Sequence, residues 1–161
     1  MKKLDYECEL AVVLGRDARD VPAGQTRDYI FGYTILNDVS ARDVQTAHKQ
    51  WYFGKSLDGF TPIGPCIVTA DAFADYPPRL GIRSFVNGEK RQDSNTALQI
   101  FDIDHVIAEL SQGMTLKAGT IIATGTPAGV GMGMDPPQFL KPGDVVRCEI
   151  DGIGTLTNLV K

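Results

Sequence analysis

The stretch DYECELAVVLG, residues 5–15, decides how this chain is read. Its second half, Leu10-Ala11-Val12-Val13-Leu14, is apolar, contains β-branched residues and is stopped by Gly15, the pattern of a buried strand. Side chains alternate between faces along a strand, so Glu7 and Glu9 share one face with Ala11 and Val13, and Cys8 turns to the other. Two carboxylates side by side at the mouth of a buried strand repel each other and resist losing water. Either that end of the strand stays wet or a positive group sits between them.

Outward from this strand, 17 glycines and 9 prolines cut the chain into short pieces, most of which read as strands. Residues 29–38 are aromatic and β-branched, and 65–71 and 119–125 are short apolar strands. Residues 81–94 read as a hairpin about Asn87-Gly88, the favoured type I′ pair, and 143–160 as another about Asp151-Gly152. Two segments have helical character. In residues 40–49, Ser40 precedes good helix formers as a cap. In residues 103–114, Val106, Ile107 and Leu110 form one stripe, with Asp102 or Asp104 as cap and Gly113 as stop. Strands outnumber helices and do not alternate with them, which predicts a β-rich α+β fold. With no linker or repeat, residues 1–161 read as one domain.

A length of 161 residues, 43% hydrophobic and 22% charged, suits a domain with a real core and argues against disorder. The net charge of -4 offers no basic footprint for nucleic acid, and no apolar run reaches membrane-spanning length. Cys8, Cys66 and Cys148 are widely spaced and odd in number, as buried thiols are. Acidic residues stand where a signal peptide would be apolar, so the expected location is cytoplasmic.

Residues 36–45, LNDVSARDVQ, carry an apolar strand into Asp38 and then a helix on which Arg42 and Gln45 share a face. A carboxylate, a guanidinium and an amide then converge where a strand ends. The alternative is a capping Asp38, with Arg42 paired to Asp43 or Asp38 at the surface. Combined with Glu7 and Glu9, Asp38 is a third carboxylate. Three carboxylates without a His or Cys cluster suit a hard divalent cation, Mg²⁺ first, then Mn²⁺ or Ca²⁺. Lys55, between Gly54 and Ser56, can meet an anionic substrate or a developing oxyanion, or else is a solvated loop lysine. Residues 123–133, ATGTPAGVGMG, let backbone N–H groups such as that of Gly125 approach a ligand, and Thr126 adds a hydroxyl. The loop has neither GxxxxGK[ST] nor a helix-opening GxGxxG, so nucleotide binding is rejected.

Taken in order, DYECELAVVLG, GYTILNDVSARDVQ, GKSLDGFTPIGP, VNGEKRQDSNT and IIATGTPAGVG resemble the fumarylacetoacetate hydrolase family over essentially the whole chain. LKPGDVVRCEIDGIGTLTNLV closes the chain as family members close. The likeness is strongest to the bacterial branch of isomerases and hydrolases of hydroxymuconate and related ring-cleavage products, in aromatic catabolism. It implies a catalytic domain built as a roll of mixed sheets with a few short helices, assembled as a homodimer. It also implies Glu7, Glu9 and Asp38 as ligands of Mg²⁺ or a similar ion, and Arg42 and Gln45 as substrate-binding residues. Lys55 and Thr126 would be catalytic, and Gly125 substrate-binding. Family members carry a G-x-N-Y-x-x-H-x-x-E-like segment upstream of the Glu7 strand, whose His and Glu activate water or shuttle a proton. The expectation is therefore a domain shorter at its N-terminus than its relatives. His48 and His105 lie outside such a segment; His48, at the end of the Arg42 helix, is read as a capping or surface residue with a catalytic base as the alternative, and His105 as structural or exposed.

The implied activity is metal-dependent turnover of a small β-dicarbonyl or 2-oxo acid. C–C hydrolysis of acylpyruvates, decarboxylation and isomerisation would all pass through an enolate. Two alternatives stay open. One is a chain that binds metal and ligand without turnover; the other is a structural Ca²⁺ site, which leaves Arg42, Gln45 and Lys55 unexplained.

Overall fold

A computed structural model describes residues 2–47 and 49–161. β2 (Cys8–Leu14), β3 (Ile30–Asn37), β5 (Ile63–Thr69) and β8 (Ile121–Ala123) form one sheet in the order β5-β3-β2-β8. A second sheet is made of two hairpins, β6 (Gly81–Val86) with β7 (Glu89–Asn95) and β9 (Val145–Ile150) with β10 (Gly154–Leu159), in the order β10-β9-β6-β7. β1 (Leu4–Asp5) pairs with β4 (Ser40–Ala41). The helices α1 (Arg42–Ala47) and α2 (Trp51–Lys55) follow β4, and α3 (Ile103–Ser111) lies between β7 and β8. The β-rich α+β class is the observed one. Among the described residues the strands pair antiparallel throughout, where the resemblance implied mixed sheets.

The core lies between the two sheets. Cys8, Leu10, Val12 and Leu14 of β2 pack with Ile82 and Val86 of β6, Val146, Cys148 and Ile150 of β9 and Ile107 of α3, each at most 7% exposed. Removing each large aliphatic side chain here from water contributes about 1.5–3 kcal/mol. Ala11 and Val13, on the opposite face of β2, are buried as well, so this strand is covered on both sides. Asn87 and Gly88 take φ of 51° and 85°, the positive values a type I′ turn requires. Cys8 and Cys148 are buried free thiols as expected, but Cys66, on β5, is exposed.

The structure departs from the sequence reading in four places. The first strand is broken at Tyr6 and Glu7, because β1 leaves the sheet to pair with β4, Leu4 opposite Ala41. Ser40 belongs to β4, and its hydroxyl donates to the Asp38 carbonyl (2.9 Å) instead of capping a helix, so α1 starts only at Arg42. Residues 51–55, which carry the Lys55 that could have been a solvated loop lysine, form α2, where Gln50 accepts the Tyr52 N–H. A five-residue turn containing Gly54 is too short to show helical periodicity. In α3 the buried stripe is Ile103, Ile107 and Ser111, while Leu110 is 38% exposed; Asp102 is the cap, accepting the His105 N–H at 2.8 Å. Among the described residues no helix is long and apolar enough to cross a membrane.

Candidate functional site

The three carboxylates come together through the ladder of β2 with β3. Cys8 is opposite Asn37, so Glu7, just before β2, lies beside Asp38, just after β3. The Asp38 N–H donates to the Glu7 carbonyl (2.8 Å), and the Glu7 N–H to the Asn37 side-chain oxygen (3.0 Å). Glu9 follows one step along the strand, on the same side. One oxygen from each of Glu7, Glu9 and Asp38 lies within 4.8 Å of the others. Glu7 is 9% and Glu9 3% exposed, so this end of the strand is not wet.

Positive groups occupy it instead. Arg42 Nη2 is 2.6 Å from Glu7 Oε1, and Lys55 Nζ donates to Glu7 Oε2 (2.9 Å), to Asp38 and to Ser40 Oγ (3.0 Å). Neither surface pairing considered for Arg42 occurs: besides Glu7 it meets the buried Asp5, with Nε 3.0 Å from Oδ2. Four carboxyl groups, those of Asp5, Glu7, Glu9 and Asp38, then face two cations. Burial pushes the Glu9 carboxyl up to about 8, with Asp38 and Glu7 adding to the rise against the Gly125 N–H and Lys55. Burial also raises Asp38, opposed by its hydrogen bond from Lys55. For Lys55 burial acts downward, but hydrogen bonds to Asp38 and Glu7 outweigh it and the ammonium is held above its ordinary value.

Lys55 reaches the carboxylates because α2 lies directly on α1. A Cβ on Gly54 would stand 2.7 Å from both the backbone nitrogen and the Cβ of Gln45. In an open helix Gly→Ala stabilises by about 1 kcal/mol; here the overlap with backbone reverses the sign. Gly54→Ala is expected to lower stability by about 1–3 kcal/mol and to pull Lys55 from Glu7 and Asp38. Thermal melting and activity of that variant check this, and a raised melting temperature with full activity would contradict the packing argument.

Gln45 is buried and its side-chain oxygen accepts from Arg42 Nη1 at 3.1 Å, as their spacing predicted. The loop after β8 runs back along β2 toward Glu9, because Ala123 pairs antiparallel with Ala11. The Gly125 N–H donates to Glu9 Oε2 (2.8 Å). The Thr126 hydroxyl donates to the Cys8 carbonyl (2.9 Å) and accepts from Gln92 Nε2 (2.8 Å). Gln92 also takes the Cys8 N–H (3.1 Å) and donates to the Pro127 carbonyl (2.7 Å), so one buried amide clamps β2 to this loop. Sequence reasoning passed over Gln92, which stands in a polar hairpin strand, and Asp5, although it begins the opening stretch. A groove of about 510 Å³ is lined by Glu7, Arg42, Gln45, Lys55, Thr126 and, at its apolar side, Trp51 and Met132. His105 is exposed and stacks on Phe101, centroids 4.7 Å apart. His48 lies outside the described residues.

A β-rich α+β domain is also what the comparisons find. Residues 1–161 match the family model described as fumarylacetoacetate (FAA) hydrolase, C-terminal, and the chain belongs to that family. It is 50% identical over 158 residues to the oxaloacetate tautomerase YisK of Bacillus subtilis, covering 98% of this chain and 52% of that protein. A solved structure of a fumarylacetoacetate hydrolase from Exiguobacterium antarcticum superposes with a TM-score of 0.96 at 52% identity, covering 100% of this chain and 57% of the other. A 2-hydroxyhepta-2,4-diene-1,7-dioate isomerase from Mycobacterium marinum gives 0.88 at 45%, covering 99% and 59%. The chain spans about half the length of the curated relatives it matches.

Proposed function

We propose that the chain is an enolising enzyme for a small 2-oxo acid, binding a divalent cation, Mg²⁺ or Mn²⁺, at Glu7, Glu9 and Asp38. The observation that carries this is the convergence of three carboxylate oxygens within 4.8 Å beside a groove that Arg42 and Lys55 also line. The donor set fits a hard cation: all oxygen, mostly buried, with more negative charge than the local cations balance. Such an ion, when bound, supplies Lewis-acid polarisation of a substrate carbonyl.

The chain's own residues do the rest. Arg42 hydrogen-bonds to Asp5 and Gln45 and pairs with Glu7, and of its five N–H donors those left on the terminal nitrogens would grip a substrate carboxylate. Gln45 lines the same groove, its side-chain oxygen being held by Arg42. Lys55 keeps its proton through neutral pH, which suits hydrogen bonding to a developing oxyanion over accepting a proton. Gly125 fixes Glu9, and Thr126 holds the loop through its two hydrogen bonds.

The likeness to a tautomerase and an isomerase favours proton transfer between carbon and oxygen as the reaction. C–C hydrolysis of an acylpyruvate is the second reading, favoured by the likeness to the Exiguobacterium hydrolase. A cytoplasmic homodimer, acting in aromatic-compound catabolism, is the setting that accompanies either. Conversion of enol- to keto-oxaloacetate, followed by ultraviolet absorbance beside acylpyruvate cleavage, tests this with Mg²⁺, Mn²⁺ or chelator present. Metal-dependent conversion is expected. Activity indifferent to chelator, or undiminished in Glu9→Ala, would overturn the reading. Metal and oxalate binding without turnover would instead support a chain that binds but does not catalyse alone.

A further inference from the structure

We propose that Asp5 is the positioning residue of this site, fixing the Arg42 guanidinium and the adjoining 131–132 backbone so that an acid substrate meets a preoriented arginine. This rests on reading the groove as a small-acid site. Asp5 is 0% exposed. Its Oδ2 accepts from Arg42 Nε (3.0 Å) and the Met132 N–H (2.9 Å), and its Oδ1 from the N–H groups of Gly131 (2.7 Å) and Tyr6 (3.0 Å). Four donors fill the capacity of a carboxylate. Asp5 therefore has nothing to offer a ligand, and it does not line the groove. Its effect passes through what it holds.

What it holds are two parts of the groove wall that are distant in sequence. Arg42 opens α1, whereas Met132 belongs to the loop beyond β8, and both line the groove. The guanidinium has one nitrogen on Asp5 and another on Glu7, so two carboxylates set its plane. Without the charge on Asp5, Glu7 becomes the sole carboxylate holding it, and Arg42 turns toward that partner. The N–H donors left for substrate then lose their direction. Misplacing a binding group by about 1 Å costs on the order of 100-fold, so the loss falls on acid binding.

Asp5→Asn tests this with size preserved, the charge removed and an NH₂ set against existing donors. Mn²⁺ binding is read by electron paramagnetic resonance and oxalate binding to the Mn²⁺-loaded protein by calorimetry. The expected result is oxalate affinity weakened by about 100-fold with Mn²⁺ affinity close to wild type. In an Arg42→Met background Asp5→Asn should cost nothing further, because Asp5 acts through Arg42. Wild-type oxalate affinity in folded Asp5→Asn, or the same added loss in the Arg42→Met background, overturns the proposal. Should Asp5→Asn fail to fold, ¹⁵N resonances of wild-type arginine side chains decide: Arg42 Nε–H is expected to exchange slowly, and fast exchange overturns the proposal. A wild-type protein that binds neither Mn²⁺ nor oxalate overturns the reading of the site instead, and leaves the Arg42 resonance as a separate report on the Asp5 pair.

Discussion

Glu9→Gln protein is expected to lose divalent-cation affinity by at least about 100-fold and turnover with it, while folding normally. Changes to groups that merely orient a metal ligand cost about 10- to 100-fold, so loss of a ligand charge belongs at or beyond the upper end. Glutamine keeps the acceptor for the Gly125 N–H, which at 2.8 Å ties the loop to β2, so the scaffold is spared. The same substitution carries a pH signature. Burial lifts the Glu9 carboxyl from its ordinary 4.5 to about 8, so the folded protein holds a proton that the unfolded chain releases. The resulting stability is fully present below the ordinary glutamate value and is lost as pH rises through about 8. Chelator-treated wild type should therefore melt lower as pH is raised from about 5 to about 9, and saturating Mg²⁺ should restore it. Glu9→Gln should flatten most of that slope, with a remainder from Asp38, whose shift has the same direction. Calorimetric titration with Mg²⁺ and melting curves across pH measure both effects. Unchanged Mg²⁺ affinity in Glu9→Gln would remove the metal site from the proposal.

The carboxylate face was legible in the sequence because strand alternation is a strict period of two: Glu7 and Glu9 cannot share a face without Cys8 taking the other. Cys8 accordingly packs in the core and Glu9 at the site. Asp38 was legible for a related reason, since a polar residue ending an apolar strand marks where the sheet gives way to a site. Arg42 and Gln45 followed from helical spacing even though Ser40 was misread as the cap, because their separation of three holds whichever residue starts the helix. The rest was hidden by its dependence on distant backbone. Asp5 serves N–H groups 126 and 127 residues away, and Gln92 serves the Cys8 N–H 84 residues away. No local pattern records such partners. The proximity of α2 to α1 was hidden too, resting on the absence of a side chain at Gly54, which in sequence reads as a helix breaker.

Lys55→Met is expected to separate two roles that one side chain combines here. Lys55 Nζ hydrogen-bonds to Glu7, Asp38 and Ser40, and its side chain is 21% exposed. Removing one partner of a buried ion pair costs about 3–5 kcal/mol; solvent screening at this degree of exposure reduces that to about 2–3 kcal/mol in metal-free protein. The loss comes from carboxylates left facing one another, so a divalent cation that neutralises them should recover most of it. Mg²⁺ should therefore raise the melting temperature of Lys55→Met by more than it raises that of wild type, and should bind no more weakly. Turnover should behave oppositely. Without an ammonium beside the developing oxyanion, kcat is expected to fall by about 100- to 1000-fold even with the cation saturating. Melting with and without Mg²⁺, set beside kcat at saturating metal, gives the two readings independently. If Mg²⁺ restored both stability and kcat, Lys55 would be a counter-ion to the carboxylates and no part of the chemistry. If it restored neither, Lys55 would hold the groove together, and its contacts with Glu7 and Asp38 would be structural. Stability recovered with kcat still lost is the outcome the geometry supports, because the same ammonium that balances Glu7 and Asp38 also lines the groove where substrate charge would develop.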